Sequence, residues 1–452
     1  MDNITKQVAH FATEITYDHF GGDDITLAIN HIIDALGCAI RAKNSLPAKI
    51  IRKIAGGETP GKYTGRTLFN NKEYSLDLAG FLNSCMIRNY DFNDRFPGGH
   101  PSDGLGWPLA LAGAIKMDGQ RFLTSAFITY ETFIRLAEAS QMRQHGWDQG
   151  FAVAISTAAA MSYLLNLNFE QTASAIGITA SSTIPLLVSR TGELNAWKNV
   201  ATPFAGRNGV FAAMLAAEGM PGPENTFEGR SGLFENITGP FNITPFPNQG
   251  GPTRLREVLI KYWPIEANGQ PVVWAALSLR NQIPPEKFNC IEEIEIFCDS
   301  VGKRELAMET EKWNPKTRET ADHSMPYIFA RTLVDGPLNI SSFEEEPVND
   351  PSIRPLMKKI KATVDKNIEA MMSGHLIVRV SIKMKDGTIH NAESFDPIGH
   401  PLNPMSEKDV FNKFQSLGKP VIGADHCNEI IEEWVKMRDA VDLRPLISIM
   451  EF

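Results

Sequence analysis

The chain has 452 residues, enough for a large buried core and more than one folding unit, and its 43% hydrophobic and 21% charged content is that of a globular protein. A formal net charge of -9 with no basic stripe argues against a nucleic-acid partner, so an anionic ligand has to be held by a few cationic groups gathered in one pocket. The start, Met1-Asp2-Asn3-Ile4-Thr5-Lys6, lacks the basic and apolar regions of a secretion signal, and the apolar stretch 151–165 is too short to span a bilayer, so a soluble, cytoplasmic protein without a membrane partner is expected.

Up to residue 268 the pattern is helix after helix. Asp24 is suited to cap a helix whose apolar face carries Ile25, Ile29, Ile32, Ile33 and Leu36. Ser102 and Asp103 stand at the start of another over 105–117, closed by Asp118-Gly119, and 122–142 reads as a longer one. Residues 151–165 are rich in Ala and Ser, so neighbouring helices can come close, and a further helix over 205–218 is stopped by Gly219 and Pro221. From 269 to 395 the texture changes. Ile294 and Ile296 alternate with Glu293 and Glu295 in a strand over 291–298, Leu376, Val378, Val380 and Ile382 mark a second, and Asp386-Gly387 turns the chain into a third over 388–395. Helices over 321–333 and 355–361 lie between them. Beyond 396 helices return: Ser406-Glu407-Lys408-Asp409 resembles a capping box, and 428–437 is amphipathic. The predicted fold is mainly α with a second α+β domain: helical residues 1–268, a smaller α+β domain over 269–395, and helical residues 396–452 able to pack back on the first part.

The densest chemistry lies in the loop from Arg88 through Asp91, Asn93, Asp94, Arg95, Gly98, Gly99, His100 and Ser102 to Gly104. Carboxylates, arginines and a histidine are packed among Gly and Pro, just where a helix begins, so free amides and the positive end of a helix dipole are available for an anion. A histidine there can act as general base or acid near neutral pH. The structural alternative is a capped turn with surface charge. Asp148, in Gly146-Trp147-Asp148, reads first as a cap for the helix after it. Lys198 and Arg207 could neutralise substrate carboxylates, and 261–266 (Lys261 to Glu266) and Asp322-His323-Ser324 add further ionisable groups; taken singly, each is ordinary surface. The five cysteines, Cys38, Cys85, Cys290, Cys298 and Cys427, are scattered, which predicts reduced thiols and neither a disulfide framework nor a zinc site. No phosphate-binding or dinucleotide-binding glycine motif is present, and no metal or organic cofactor is expected.

Asp91-Phe92-Asn93-Asp94 followed by Gly99-His100-Pro101-Ser102-Asp103 resembles the D-[FY]-N-D…H-P-S-D pattern of the MmgE/PrpD family, which includes 2-methylcitrate dehydratase, cis-aconitate decarboxylase and iminodisuccinate epimerase. Gly146-Trp147-Asp148, Lys198, 261–266, Asp322-His323 and Pro397-Ile398-Gly399-His400 fall in the family's order, so the likeness runs through most of the chain. The resemblance implies a helical domain built from both chain ends, a homodimer, no metal, and a site between the domains. It assigns Asp91, His100, Lys198 and Lys261 to the catalytic pocket, with Arg95, Ser102, Asp148, Arg207, Glu266 and His323 as further substrate-binding candidates. Arg95 stands where many members carry Thr, the loop between Asp94 and His100 is shorter than in typical 2-methylcitrate dehydratases, and Asp148 and Glu266 lie where the decarboxylases tend to carry His.

The expected activity is removal of water from a small hydroxy-tricarboxylate such as 2-methylcitrate. His100 or Asp91 takes the proton next to a carboxylate, and Lys198, Lys261 and Arg207 hold the negative charge. The same carbanion reprotonated on its other face gives an epimerase, and loss of a carboxylate instead gives a decarboxylase. A non-enzymatic binding protein is the competing class.

Overall fold

The computed structural model of the protein describes residues 1–56, 61–70, 72–247, 253–371 and 374–452. The first part of the chain builds helices α1 (Asn3–Glu14), α2 (Gly22–Ala42), α3 (Leu46–Ala55), α4 (Leu76–Arg88), α5 (Gly106–Ala114), α6 (Gly119–Ser140), α7 (Gly150–Leu164), α8 (Phe169–Ser182) and α9 (Trp197–Ala217), with a short hairpin of β1 (Thr64–Arg66) and β2 (Glu73–Ser75) before α4. Several boundaries differ from expectation for identifiable reasons. Gly21, not Asp24, is the N-cap of α2, and Asp24 lies in its first turn with its carboxylate taking Arg256 Nε at 2.5 Å. Ser102 and Asp103 belong to a 3-10 turn, Pro101–Leu105, that leads into α5. Asp118 opens α6 rather than closing α5, its side chain accepting from Arg121 N at 2.7 Å. α9 starts eight residues before 205 because Pro203 is tolerated within it, which puts Lys198 in its first turn.

The small residues of α7 do what their size allows. A Cβ on Gly209 of α9 would lie 2.1 Å from the Ala154 carbonyl oxygen, and one on Gly150 would lie 2.9 Å from Ala205 Cβ. The two helices therefore meet backbone to backbone, which fixes the azimuth of α9 and the direction of Lys198. Likewise Gly80 of α4 leaves room only for the Trp107 ring, a Cβ there falling 2.0 Å from it.

The second part contains α10 (Gln270–Gln282), β3 (Ile291–Cys298), α11 (Ser300–Ala307), α12 (Arg318–Ala321), α13 (Met325–Asp335), β4 (Ile360–Val364), β5 (Ile377–Met384) and β6 (Ile389–Phe395). The sheet order is β4-β3-β5-β6, with β3 parallel to β4 and antiparallel to β5, and with the β5–β6 hairpin turned at Gly387 (φ 87°). Ile294 and Ile296 of β3 and Val378, Val380 and Ile382 of β5 share one apolar core with α10 and α13. β4 replaces the helix expected over 355–361, which shortens to Arg354–Met357. The helix expected over 321–333 is broken at Asp322-His323-Ser324, where Ser324 caps α13 by accepting from Tyr327 N at 3.1 Å.

The last helices, α14 (Glu407–Ile422) and α15 (Ala424–Val435), return to the first part. Val410, Phe414, Ile430, Ile431 and Trp434 join the core built from α1–α9, while residues 263–384 furnish the second core. The expected capping box at Ser406 forms with Asp409. α2 is long and apolar enough to pass as a membrane span by length and composition, more so than 151–165, but 83% of its apolar window is buried among neighbouring helices. Of the cysteines, four are buried, Cys290 is exposed, and all are free.

Candidate active site

The site grows from the C-terminal end of α4. Arg88 ends that helix, and at Asp91 the chain enters the left-handed region with φ 50°. A non-glycine residue there costs about 1–3 kcal/mol, so something has to hold it. Its carboxylate is the hub of a cationic cage. Arg88 pairs with Oδ1, and Lys261 Nζ donates to Oδ2 at 2.9 Å and to the Asp91 carbonyl oxygen at 2.6 Å. Lys198 Nζ stands 3.9 Å from Oδ1, His100 Nε2 3.4 Å from Oδ1, and His323 Nε2 3.9 Å from Oδ2.

Distant stretches of chain are brought together by identifiable local structure. Arg95 and Leu259 exchange both backbone hydrogen bonds at 2.8 Å, so 259–261 runs beside the loop and Lys261 meets Asp91. Gly399 of the Pro397-Ile398-Gly399-His400 turn fits against Ile260, where a Cβ would fall 2.0 Å from its carbonyl oxygen. Asp94 organises the loop from behind. Its carboxylate accepts from the Ser102 amide (3.2 Å) and hydroxyl (2.6 Å) and from the Tyr130 hydroxyl (2.6 Å), and it faces His31 Nδ1 at 3.2 Å. Its carbonyl oxygen takes His100 Nδ1 at 2.5 Å. A carbonyl only accepts, so that nitrogen carries the proton, and the neutral ring turns its Nε2 lone pair towards Asp91.

The charges follow from burial and neighbours. Burial pushes Asp91 up, but Arg88, Lys198 and Lys261 outweigh it and hold its carboxyl well below the usual range. Burial, aided by Arg88 and Lys261, drives the His100 imidazole well below its ordinary value, so it is neutral at pH 7. Burial also lowers Lys261, and brings Lys198 to about 8 against the opposing pull of Asp322 and Asp91. The His323 imidazole is lowered to about 4 by burial and by Lys198. Behind Arg88, burial raises Asp103 to about 7.

The ten residues expected to form the site are thus distributed unevenly. Asp91, His100, Lys198, Lys261 and His323 converge. Arg95 and Glu266 are neighbours beside them: Glu266 is the strongest charge acting on the Arg95 guanidinium, while burial raises the Glu266 carboxyl, whose oxygens cap the following turn through Asn268. Ser102 is spent on Asp94. Asp148 is buried on Arg190, Nη2 at 3.1 Å, and its side chain does not cap α7 at the N-cap position, which Gln149 holds. Arg190 in turn donates to the Lys198 carbonyl oxygen (2.9 Å) and the Thr202 hydroxyl (2.8 Å), so Asp148 supports the first turn of α9 from behind. Arg207, some 13 Å along α9 from Lys198, pairs with Asp77 at 2.7 Å and does not join the cluster. Arg88, Asp94 and Asp322 were not singled out by the sequence as site residues. The first two sit in the ionisable loop and the third beside His323, so closeness in the chain was the available signal. Among the described residues no group of three or more His, Cys, Asp or Glu is arranged to hold a metal ion.

The MmgE/PrpD N-terminal domain model matches residues 6–245 and the MmgE/PrpD C-terminal domain model matches residues 263–437. The chain belongs to the MmgE/PrpD family. The second match runs through α14 and α15, although these helices pack in the core of the first part. Among MmgE/PrpD relatives, a cis-aconitate decarboxylase of Mus musculus is 23% identical over an alignment covering 100% of this chain and 94% of its own length. An alkylcitrate dehydratase from a fungal species is 28% identical over 85% of this chain and 81% of its own, and a 2-methylcitrate dehydratase of Escherichia coli K12 is 25% identical over 82% and 80%. The relatives are thus dehydratases and decarboxylases acting on small polycarboxylates.

Proposed function

We propose that this chain is a lyase that removes water from a hydroxy-tricarboxylate of the 2-methylcitrate type by abstracting the proton next to a carboxylate. The observation that carries this reading is the convergence of a neutral imidazole and three buried cations on the Asp91 carboxylate. Abstraction next to a carboxylate loads negative charge onto that group, so the reaction needs a base beside fixed positive charge. His100 supplies the base, with its proton held on Nδ1 and its lone pair on Nε2. Asp91 is too strongly held as an anion to be a useful base; its role is to gather Arg88, Lys198 and Lys261. Lys198, at about 8, is charged at pH 7 and joins Arg88 and Lys261 in supplying the fixed positive charge that the reaction needs. Arg95 supports the assignment of a polycarboxylate: among the described residues no hydrogen bond or ion pair engages its half-buried guanidinium, leaving it for a second carboxylate.

Proton NMR in deuterated water tests the proposal. With 2-methylcitrate, new vinylic or methyl-alkene signals and release of water are expected; absence of turnover on 2-methylcitrate, citrate and cis-aconitate, together with no thermal stabilisation by any of them, overturns it. His100→Gln retaining full turnover would remove His100 from the chemistry. The coverage of this chain from end to end by a decarboxylase relative makes decarboxylation of cis-aconitate the second reading, read out as carbon dioxide release. Exchange of solvent deuterium without net loss of an aspartate-like acid would mark an epimerase. A homodimer, independence of cofactors and a cytoplasmic setting belong to the same proposal; light scattering and activity after chelation and dialysis test the first two.

A further inference from the structure

In this cluster the groups that an incoming molecule can reach are the two histidines. The side chains of Arg88, Asp91, Lys198, Lys261 and Asp322 are at most 2% exposed, whereas His100 is 8% and His323 12% exposed. The two rings are held alike. His100 Nδ1 is fixed by the Asp94 carbonyl oxygen, and His323 Nδ1 by the Asp322 carboxylate at 2.5 Å. The Asp94 carbonyl oxygen places the His100 proton on Nδ1, the Asp322 carboxylate favours the same for His323 with Lys198 Nζ also 3.3 Å from that Nδ1, and the two Nε2 atoms lie towards the same carboxylate, one at each of its oxygens. They come from different cores: His100 from the loop before α5, and His323 from the break between α12 and α13. That break interrupts a segment whose apolar pattern would sustain one continuous helix, and the interruption is what aims His323 at Asp91.

A purely structural Asp322, present only to neutralise Lys198, would put its shortest contact on the lysine. The reverse is found, with Lys198 Nζ at 3.3 Å and the imidazole closer. The Asp322 backbone also ties the break to the neighbouring turn, its carbonyl oxygen accepting from Glu266 N at 3.0 Å. Asp322 is therefore well placed to set the orientation of the ring and to stabilise a proton on it.

We infer that His323, oriented by Asp322, is a second catalytic residue that transfers a proton at the reacting centre opposite His100. The inference rests on the proposed active site and adds to it a division of labour. His100 Nε2 takes the proton from carbon and leaves the C–H pair on a carbanion stabilised by the adjoining carboxylate; that pair then becomes the new carbon–carbon double bond as the C–O bond breaks. The departing oxygen takes that bond's pair and the proton on His323 Nε2, leaving as water. His100 then carries one proton more and His323 one fewer, and exchange with solvent restores both. The proton on His323 Nε2 enters with the substrate, whose carboxylates favour the imidazolium beside Asp322.

The test compares His323→Gln, Asp322→Asn and His100→Gln in the full chain, with 2-methylcitrate in deuterated water. For His323→Gln, kcat is expected to fall about 100-fold or more with KM changed far less, while deuterium still exchanges into recovered 2-methylcitrate because His100 remains. Asp322→Asn should lower kcat by a smaller factor and displace the pH profile. His323→Gln turning over within about threefold of wild type, or losing exchange and elimination together, overturns the role of His323. In that case an inactive His100→Gln shows that the site itself stands, whereas full activity in His100→Gln shows that the site is misassigned. If His323→Gln does not fold, His323→Ala with added imidazole replaces it: rescue is expected, and a folded protein that imidazole does not rescue overturns the inference.

Discussion

Asp91→Asn keeps the side chain's shape and deletes the negative charge at the centre of the cage. With an effective dielectric constant of about 20, the ion pair at 2.9 Å with Lys261 is worth about 6 kcal/mol and the one at 3.9 Å with Lys198 about 4 kcal/mol. The full sum is not lost, because a buried lysine can discharge. Lys198 lies at about 8 with Asp91 present, so neutralising it at pH 7 costs only about 1.4 kcal/mol. Arg88 has no such escape, and removing one partner of a buried pair costs about 3–5 kcal/mol. An unfolding entropy of about 2.1 cal/mol/K per residue over 452 residues then predicts a melting temperature about 3–5 °C lower at pH 7, and a larger drop if the first core melts alone. The pH dependence has a definite sign. Once folded, the variant binds fewer protons than wild type wherever its Lys198 is neutral and the wild-type one is charged. The variant therefore gains stability relative to wild type as pH rises towards about 8, the value of wild-type Lys198. Melting curves by circular dichroism between pH 6 and 9 read both effects. A variant that melts with wild type at pH 7, or a gap that widens with rising pH, would refute the cage.

Other consequences can be checked in the same way. The rate should be nearly flat from pH 6 to 7.5, since His100 is already neutral there, and should fall as Lys198 loses its proton through about 8; an acidic limb near the ordinary histidine value would contradict this, as kcat/KM profiles will show. Asp148→Asn leaves Arg190 without its buried partner, so the protein should lose about 3 kcal/mol and turnover should drop about tenfold as the first turn of α9 loosens; unchanged melting and kcat would oppose that. Gly209→Ala forces a methyl group onto the Ala154 carbonyl, and a loss of at least about 1–3 kcal/mol is expected by thermal melting. Arg207→Ala removes a partly exposed ion pair worth no more than about 1 kcal/mol, and steady-state kinetics should show turnover within about twofold of wild type.

The loop from Arg88 to Gly104 was legible because so many ionisable groups among Gly and Pro suit neither a helix nor a strand. His100 and Asp91 could be picked from it directly. Lys198, Lys261 and His323 could not: each is isolated in sequence, and it took the family likeness to connect them. What brings them together is long-range, namely the backbone exchange between Arg95 and Leu259, the glycine contacts between α7 and α9, and the broken helix at Asp322. Arg207 carries the same charge as Lys198 and lies on the same helix, but the two differ in azimuth and height, which spacing from an unknown helix start does not reveal. The strand β4 follows Lys358 and Lys359, carries Lys361 and lies at the edge of its sheet, so apolar alternation is weak there. α9 begins at Trp197, eight residues before the predicted start at 205, and holds Pro203 in its interior, where proline is ordinarily disfavoured.

The packing of α14 against α2 has a consequence for synthesis. Lys413 reaches Asp34 at 2.6 Å and Phe414 lies against Gly37, so the apolar flank of α2 is covered by residues nearly 380 positions later. At about 5–20 residues per second, a nascent chain waits some 20–80 s before that cover emerges from the ribosome. During that interval α2 presents an uncapped greasy stripe, the feature that draws holding chaperones, and a transcript cut short before α14 would strand the chain in that condition.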